Sequence, residues 1–185
     1  MAGGWSKVAR RIRVPLGFVF AAVFLWLARP GAESLALSLL LVAPGLWLRG
    51  YAAGYVKKNA EVTMTGPYAF TRNPLYLGSM LIAFGFALAA RSLWIGIALA
   101  VLFAVIYIPV IRSEEEYLRS QFAAYVEYAA RVPRLIPRMT PAGQPGDEAG
   151  VFSAALYRKH RETNALLGAA AMYAALILKM IFVKG

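Results

Sequence analysis

Two polar segments carry the residue types that can do chemistry in this sequence. The first, residues 65–78, places an arginine and an asparagine after a Gly-Pro turn. Arg72 offers a planar guanidinium that can bind a carboxylate or a phosphate through two hydrogen bonds. Asn73 precedes Pro74, which suits the start of a helix, where free backbone N–H groups can meet an anion. The segment therefore fits an anion-binding loop, and equally a capped turn whose arginine reaches lipid phosphates.

The second segment begins with three successive glutamates, Glu114, Glu115 and Glu116, where the fourth apolar stretch ends. On a helix three successive side chains fan over about 200°, so they cannot all face one partner. Carboxylates near hydrocarbon are costly and usually have a partner or a function. One or two of them can hold a cationic group such as an amine. The alternative is local pairing four residues apart, Arg112 with Glu116 and Glu115 with Arg119.

The remaining reactive side chains are few. The chain has one histidine and no cysteine, which excludes disulfides, thiolate metal sites and a cysteine nucleophile. We expect no metal site, because His160 is accompanied only by scattered acids. A surface histidine at the level of the lipid headgroups is the favoured interpretation of His160, and a general base is the weaker alternative.

Apolar helices must position these segments. The chain of 185 residues is 60% hydrophobic and has a formal net charge of +11. Nucleic-acid-binding proteins can be this basic, but they lack long uncharged apolar runs, so we expect no nucleic-acid partner. A membrane protein explains both properties, because its spans lie in lipid while lysine and arginine collect on the cytoplasmic side.

The pattern predicts an all-α integral membrane protein with about five transmembrane helices and an amphipathic cytoplasmic helix. Residues 1–139 form the predicted core, and residues 140–185 add a flexible loop and a C-terminal helix that either spans the membrane or lies in its interface. The predicted core helices cover residues 14–28, 34–50, 75–90 and 93–111, the cytoplasmic helix covers 113–131, and the C-terminal helix covers 164–183.

The basic residues give this topology an orientation. With these spans, 16 of the 20 lysines and arginines fall on one side, and the other side keeps Arg29, Arg91, Lys179 and Lys184. The N-terminus and both polar segments are therefore predicted to face the cytoplasm, across a bacterial or archaeal cytoplasmic membrane. The four tryptophans, Trp5, Trp26, Trp47 and Trp94, fit belts at the membrane interfaces.

Together the two segments resemble the isoprenylcysteine carboxyl methyltransferase and phospholipid methyltransferase superfamily of membrane enzymes. That superfamily shows a Gly-x-Tyr turn, an Arg-His-Pro-x-Tyr helix start, a Glu-Glu pair, paired tyrosines and a Pro-Arg-x-Ile-Pro ending. The corresponding residues here, within residues 49–137, are Gly66-Pro67-Tyr68, Arg72-Asn73-Pro74-Leu75-Tyr76, Glu114-Glu115, Tyr125 with Tyr128, and Pro133-Arg134-Leu135-Ile136-Pro137. One departure is Asn73, which replaces a histidine and cannot act as a base.

The resemblance implies S-adenosylmethionine as the methyl donor and a membrane-embedded lipid or prenylated compound as the acceptor. Arg72 and Glu115 are the implied catalytic residues, with Arg72 suited to the carboxylate of the donor and Glu114 or Glu115 to its ammonium. An amine acceptor would also need a base, for which Glu115 or His160 is available. The implied donor-binding residues are Gly66, Tyr68, Arg72, Asn73, Pro74, Tyr76, Gly78, Glu114, Glu115, Tyr125 and Tyr128.

Two other functions remain open from the sequence. A membrane reductase of the sterol-reductase type shares a similar helical core and uses a nicotinamide cofactor, whose phosphates Lys57, Lys58 and Arg72 could meet. A non-enzymatic scaffold or transporter subunit is the third hypothesis. A transporter is expected to carry ionisable residues in mid-span, and the apolar runs here have almost none.

Overall fold

The predicted all-α fold is confirmed. The computed structural model describes residues 2–56, 61–142 and 150–183, and within these ranges the regular structure is helical throughout. Lys57, Lys58 and Lys184 lie outside the described residues, as do positions 143–149 of the loop expected at 140–150.

Seven α-helices and one short 3₁₀ turn, Gly66–Ala69, make up the described architecture. The helices are α1 (Ala2–Leu27), α2 (Ala32–Ala53), α3 (Pro74–Ala89), α4 (Leu93–Gln121), α5 (Ala124–Arg131), α6 (Ala154–Lys159) and α7 (Thr163–Phe182). The first helix, expected at 14–28, begins at Ala2, so it also takes in the basic residues that precede its apolar part. A basic stretch without glycine or proline pairs does not stop a helix, because lysine and arginine are good helix formers.

Helix α4 differs from the expected arrangement of a span followed by a separate cytoplasmic helix. The helix continues unbroken from Leu93 through the expected junction near residue 112 and ends at Gln121. Its irregularity lies earlier, where Phe103–Tyr107 form a π-helical turn just ahead of Pro109. A proline inside a helix removes one hydrogen bond and crowds the preceding turn, and a wider turn relieves that crowding. The charged residues after Ile111 contain no helix breaker, so the helix carries them out of the apolar region.

Three helices are long and apolar enough to cross a membrane: α2, α4 and α7. The chain is therefore an integral membrane protein. The apolar part of α1, Gly17–Leu27, and helix α3 are shorter; the 16 residues of α3 extend about 24 Å, against about 30 Å of hydrocarbon. The structure therefore supports three of the five expected spans by length and composition, and the C-terminal helix is one of them.

A tight turn separates α3 from α4. Arg91 adopts a left-handed backbone conformation with φ of 52°, and the hydroxyl of Ser92 accepts a hydrogen bond from the backbone N–H of Ile95 at 3.4 Å. A serine at this position caps the first turn of a helix. The break expected at Arg91-Ser92 is thus part of a three-residue connection, Ala90 to Ser92, between the end of α3 and the start of α4.

The described chain divides into two compact units. The first comprises Met1–Val42, Ala83–Glu116 and Ala169–Gly185, and the second comprises Ala43–Ile82 and Tyr117–Gly168. Several helices contribute to both units, because the boundaries fall inside α2, α3, α4 and α7. The polar segments of the sequence divide accordingly, with the three glutamates in the first unit and the loop at 65–78 in the second.

In the first unit the C-terminal half of α7 is held by polar contacts. The hydroxyl groups of Ser38 and Tyr173 are 2.7 Å apart, and Ser38 is fully buried. At the end of α7, Lys179 donates to the backbone carbonyls of Leu25 and Trp26 at 2.6 and 2.8 Å. A cation there satisfies carbonyls that the end of α1 leaves without helical partners. Helix α7 is therefore integrated into this unit by specific hydrogen bonds.

In the second unit α2 and α3 cross at a pair of glycines. A β-carbon placed on Gly78 would lie 2.8 Å from the backbone oxygen of Gly45 and 2.6 Å from the side chain of Arg49. Small residues at such crossings let membrane helices approach closely. This crossing fixes the start of α3, and with it the loop that precedes this helix.

Candidate functional site

The loop at 65–78 is built around a glycine turn. Gly66 has φ of +59°, and a side chain there would also run into the ring of Tyr55. Glycine adopts this left-handed conformation without a steric penalty. The 3₁₀ turn Gly66–Ala69 follows, with Pro67, Tyr68 and Ala69 buried. The backbone therefore explains the Gly-Pro-Tyr motif. The glycine adopts the left-handed conformation, and the turn that follows buries Tyr68.

The loop pairs with the Pro-Arg-Leu-Ile-Pro segment that follows α5. The N–H of Arg72 donates to the carbonyl of Pro133 at 2.9 Å, and the N–H of Arg138 donates to the carbonyl of Phe70 at 2.9 Å. The hydroxyl of Thr71 lies 3.2 and 3.1 Å from the carbonyls of Arg134 and Leu135. Two motifs about 60 residues apart in the sequence thus form one hydrogen-bonded structure.

Asn73 is the capping residue of α3 and a bridge to the same segment. Its carbonyl accepts the N–H of Leu77 at 3.0 Å, the first bond of the helix, and Pro74 takes the first helical position. Its side-chain amide donates to the carbonyl of Arg134 at 3.0 Å. Asparagine suits both roles, because it caps well and carries an N–H donor. This contact is made by an amide N–H, so it needs no histidine at this position.

The paired tyrosines form the core beneath the loop. Tyr125 and Tyr128 are 2% and 4% exposed, their rings meet edge to face with centroids 5.8 Å apart, and Val132 completes the cluster. The hydroxyl of Tyr128 donates to the carbonyl of Tyr68 at 2.8 Å. The structure therefore places these tyrosines in the support of the loop rather than on an open surface.

The other predicted residues of this loop occupy different environments. Arg72 and Tyr76 are half-buried, on either side of the start of α3. Gly78 lies against α2, so the close approach that its missing side chain permits is made by a helix. Among the predicted loop residues that carry a side chain, Arg72, Asn73 and Tyr76 are half-buried, and the Nε and Nη1 atoms of Arg72 are themselves buried.

The three glutamates of α4 belong to the first unit and differ sharply in burial. Glu115 is 4% exposed, whereas Glu114 and Glu116 are exposed. An ionisable side chain is buried this far only with compensating interactions. Burial therefore separates Glu115 from its neighbours, a distinction that three identical residues in a row cannot make in the sequence.

An ion pair that the sequence did not reveal joins α2 to the segment before α7. Arg49 donates to both carboxylate oxygens of Glu162, from Nη2 to Oε1 at 2.8 Å and from Nε to Oε2 at 3.0 Å. The Arg49 and Glu162 side chains are 24% and 7% exposed. Arg49 also donates to the carbonyl of Leu75 and the hydroxyl of Ser79 on α3. The one feature of the sequence that could have indicated this ion pair is the position of Glu162, an acid directly after a run of basic residues.

An aromatic groove adjoins this ion pair in the second unit. It has a volume of about 480 Å³, and its lining includes Trp47, Tyr51, Phe152, Tyr157 and Glu162. The rings of Trp47 and Tyr51 stack with centroids 5.2 Å apart, and those of Tyr51 and Phe152 stack at 6.2 Å. The groove is thus lined mainly by aromatic and aliphatic side chains, with the carboxylate-bearing Glu162 among them.

His160 is tied to the backbone. Its Nδ1 lies 3.1 Å from the carbonyl of Ala53 and 2.9 Å from that of Leu156. Two acceptors around one nitrogen require that nitrogen to carry the proton. The side chain therefore links the last turn of α2 to α6. In the described ranges, no group of three or more histidine, cysteine, aspartate or glutamate side chains is arranged to hold a metal ion.

The helical fold and these paired motifs define a class of membrane protein. Comparison of the sequence with known families identifies this class. Residues 31–125 match the family model described as phospholipid methyltransferase. The match covers more than half of the chain, so the chain belongs to the phospholipid methyltransferase family, and the resemblance drawn from the motifs is confirmed.

Two relatives carry names from metal resistance. The chain is 38% identical over 95 residues to the cobalt-zinc-cadmium resistance protein CzcN of Cupriavidus metallidurans, an alignment that covers 51% of this chain and 43% of that protein. It is 36% identical over 95 residues to the nickel-cobalt-cadmium resistance protein NccN of Alcaligenes xylosoxydans xylosoxydans, covering 51% and 44%. The chain thus aligns with less than half the length of these relatives. No solved structure matches it significantly.

Proposed function

We propose that this protein is an S-adenosylmethionine-dependent methyltransferase whose acceptor is a membrane-embedded lipid or prenylated compound. Membership of the phospholipid methyltransferase family supports methyl transfer. The observation that carries the proposal is the bonding of the Arg72–Asn73–Pro74 loop to the segment after α5. A loop held in place by these hydrogen bonds is suited to binding and orienting a donor.

The residues fit the charges of the donor. The half-buried Arg72 suits its carboxylate, because a guanidinium binds a carboxylate through two parallel hydrogen bonds. The buried Glu115 suits its ammonium, because a carboxylate in a sheltered place interacts strongly with a cation. Tyr76 offers a partly exposed ring for the adenosine moiety. In the second unit, the buried Tyr68, Tyr125 and Tyr128 support the loop that carries Arg72 from beneath.

Bound S-adenosylmethionine supplies an electrophilic methyl group on a sulfonium. The protein has to hold that methyl in line with the acceptor atom and to exclude water, which makes positioning the main source of the rate increase. A carboxylate acceptor is already ionised near neutral pH and needs no base. An amine acceptor has to release a proton, and Glu115 is the buried carboxylate proposed to take it. The products are the methylated acceptor and S-adenosylhomocysteine.

The membrane setting follows from the same proposal. The donor is water-soluble and the acceptor lipid-soluble, so the site has to lie where both can reach it. The excess of basic residues supports a location of the N-terminus and the loop at 65–78 on the cytoplasmic side, and we propose a bacterial or archaeal inner membrane. The donor then arrives from the cytoplasm and the acceptor from the bilayer.

Calorimetry on the full chain in detergent tests donor binding directly. S-adenosylmethionine is expected to bind the wild-type protein, and Arg72→Ala to weaken binding about 100-fold, in keeping with about 3 kcal/mol for a bidentate charged contact. The exposed Arg112→Ala provides a matched control that leaves binding unchanged. Absence of binding by the wild-type chain would overturn the proposal, and unchanged binding by Arg72→Ala would overturn the assignment of this residue.

If the protein were a nicotinamide-dependent reductase, its preference between the two cofactors would be reversed. Reduced nicotinamide nucleotide would then bind in the same calorimeter and S-adenosylmethionine would not. The family match favours methyl transfer over this alternative. The metal-resistance names belong to the relatives, and we propose no metal-binding role for this chain.

A further inference from the structure

Arg49 contacts two separate parts of the second unit through one guanidinium group. Its Nε and Nη2 donate to the carboxylate of Glu162, immediately before α7. Its Nη1 lies 3.4 Å from the carbonyl of Leu75 and donates to the hydroxyl of Ser79 on α3. The hydroxyl of Ser79 in turn donates to the carbonyl of Leu75 at 2.9 Å. The guanidinium therefore connects the C-terminal extension to the first turns of α3.

Through Leu75, the Arg49 guanidinium contacts the first turn of α3. Leu75 stands two residues after Asn73, so its carbonyl belongs to the helical turn that begins at the proposed donor loop. A planar guanidinium held through two bonds has little freedom to rotate. Glu162 thus fixes the direction in which Nη1 points, and Nη1 in turn fixes the first turn of α3.

We propose that Glu162 is a positioning residue for the donor site, acting through Arg49 on the start of α3. The inference rests on the proposed function, because it assumes that the loop ahead of α3 binds S-adenosylmethionine. Glu162 lies outside the residues 31–125 that match the family model. The extension of this chain therefore contributes to the geometry of a site whose binding residues lie in the family core.

Replacing Glu162 with glutamine tests the proposal, because the variant keeps the size of the side chain and removes its charge. We expect the dissociation constant of S-adenosylmethionine for the full chain in detergent to rise about 10-fold in Glu162→Gln, because a displaced loop loses part of its contact with the donor and a loss of about 1.4 kcal/mol is tenfold in affinity. Ser79→Ala, which removes one partner of Nη1, is expected to raise the constant by a smaller factor. The donor affinities of both variants are measured by calorimetry.

Ser153→Ala is the matched control. Ser153 caps α6 by accepting the N–H of Leu156 at 3.3 Å, so its loss loosens the same extension without touching Arg49. If Glu162 has only a structural role, Glu162→Gln and Ser153→Ala will lower the midpoint of thermal unfolding alike and leave donor affinity unchanged. A loss of affinity confined to Glu162→Gln and Ser79→Ala supports the positioning role.

The outcomes separate this inference from the proposed function. Wild-type protein that binds the donor, together with a Glu162→Gln variant of equal affinity, overturns the positioning role and leaves the function standing. Wild-type protein that does not bind the donor overturns both. If Glu162→Gln cannot be purified in a folded form, Ser79→Ala decides, and unchanged donor affinity in that variant overturns the inference.

Discussion

The hydroxyl of Tyr128 donates a hydrogen bond to the backbone carbonyl of Tyr68, with 2.8 Å between the two oxygens. Both residues are buried. The bond joins the Gly-Pro-Tyr turn to α5, 60 residues later, and it lies beneath the loop that carries Arg72. The Gly-Pro-Tyr turn and the paired tyrosines are separate motifs in the sequence but form one structure, in which the tyrosines support the turn.

Tyr128→Phe tests this support. The phenylalanine ring fills the same space but leaves the buried carbonyl of Tyr68 without its donor, so we expect a loss of about 1–3 kcal/mol in the free energy of unfolding. Thermal or denaturant unfolding in detergent measures the loss. Tyr117→Phe is the control, because Tyr117 is 49% exposed and its change should have little effect. Equal stabilities for the two variants would contradict the assigned role of the Tyr128 hydroxyl.

Asn73→Asp separates the two roles of Asn73. Aspartate caps a helix as well as asparagine does, so the start of α3 keeps its cap. The carboxylate cannot donate to the carbonyl of Arg134, which lies 3.0 Å from the amide nitrogen in the wild type. We expect a destabilisation of about 1–3 kcal/mol, arising from this lost donor and an unsatisfied oxygen.

Asn73→His provides the comparison for this substitution. The superfamily motif that this loop resembles, Arg-His-Pro-x-Tyr, has histidine at this position, and an imidazole N–H can donate to the same carbonyl. We expect Asn73→His to unfold at a temperature closer to that of the wild type than Asn73→Asp does. An aspartate variant as stable as the wild type would show that the bond to Arg134 contributes little.

Gly78→Ala tests the crossing of α2 and α3. The added β-carbon would lie 2.8 Å from the backbone oxygen of Gly45, and such overpacking typically costs about 1–3 kcal/mol. Gly96→Ala is the control, since nothing lies within 4 Å of its added β-carbon, and alanine favours a helix over glycine. Unfolding midpoints should fall for Gly78→Ala and stay equal or rise for Gly96→Ala. A neutral Gly78→Ala would contradict the close crossing.

The sequence predicted the class of fold because apolar runs and the distribution of basic residues are local and additive. It also predicted the helix start at Pro74, since Asn73 and Pro74 favour a helix N-terminus whatever surrounds them. The break expected between the fourth span and the cytoplasmic helix near residue 112 is absent, and α4 runs on to Gln121, because the charged residues after Ile111 do not stop a helix. Contacts between residues far apart in the sequence could not be predicted from local patterns. Nothing in the sequence shows that Arg49 and Glu162, 113 residues apart, form an ion pair.

The burial of Glu115 leads to the sharpest prediction about the proposed site. Three successive glutamates have the same chemistry, yet Glu115 is 4% exposed while its neighbours are exposed. If Glu115 holds the ammonium of the donor, Glu115→Gln should raise the dissociation constant of S-adenosylmethionine at least about 10-fold, as expected for a charged contact of at least about 1.4 kcal/mol. Calorimetry on both single variants measures the effect.

Glu116→Gln removes the same charge one residue away and is expected to leave donor binding within about twofold of the wild type, because exposed charges interact weakly through water. This comparison cancels the change in net charge, so a difference between the two variants reports the position of the carboxylate. Equal effects of Glu115→Gln and Glu116→Gln would show that the glutamates act only through their summed charge. Glu115 would then lose its place in the site, while the assignment of Arg72 would still rest on its own variant.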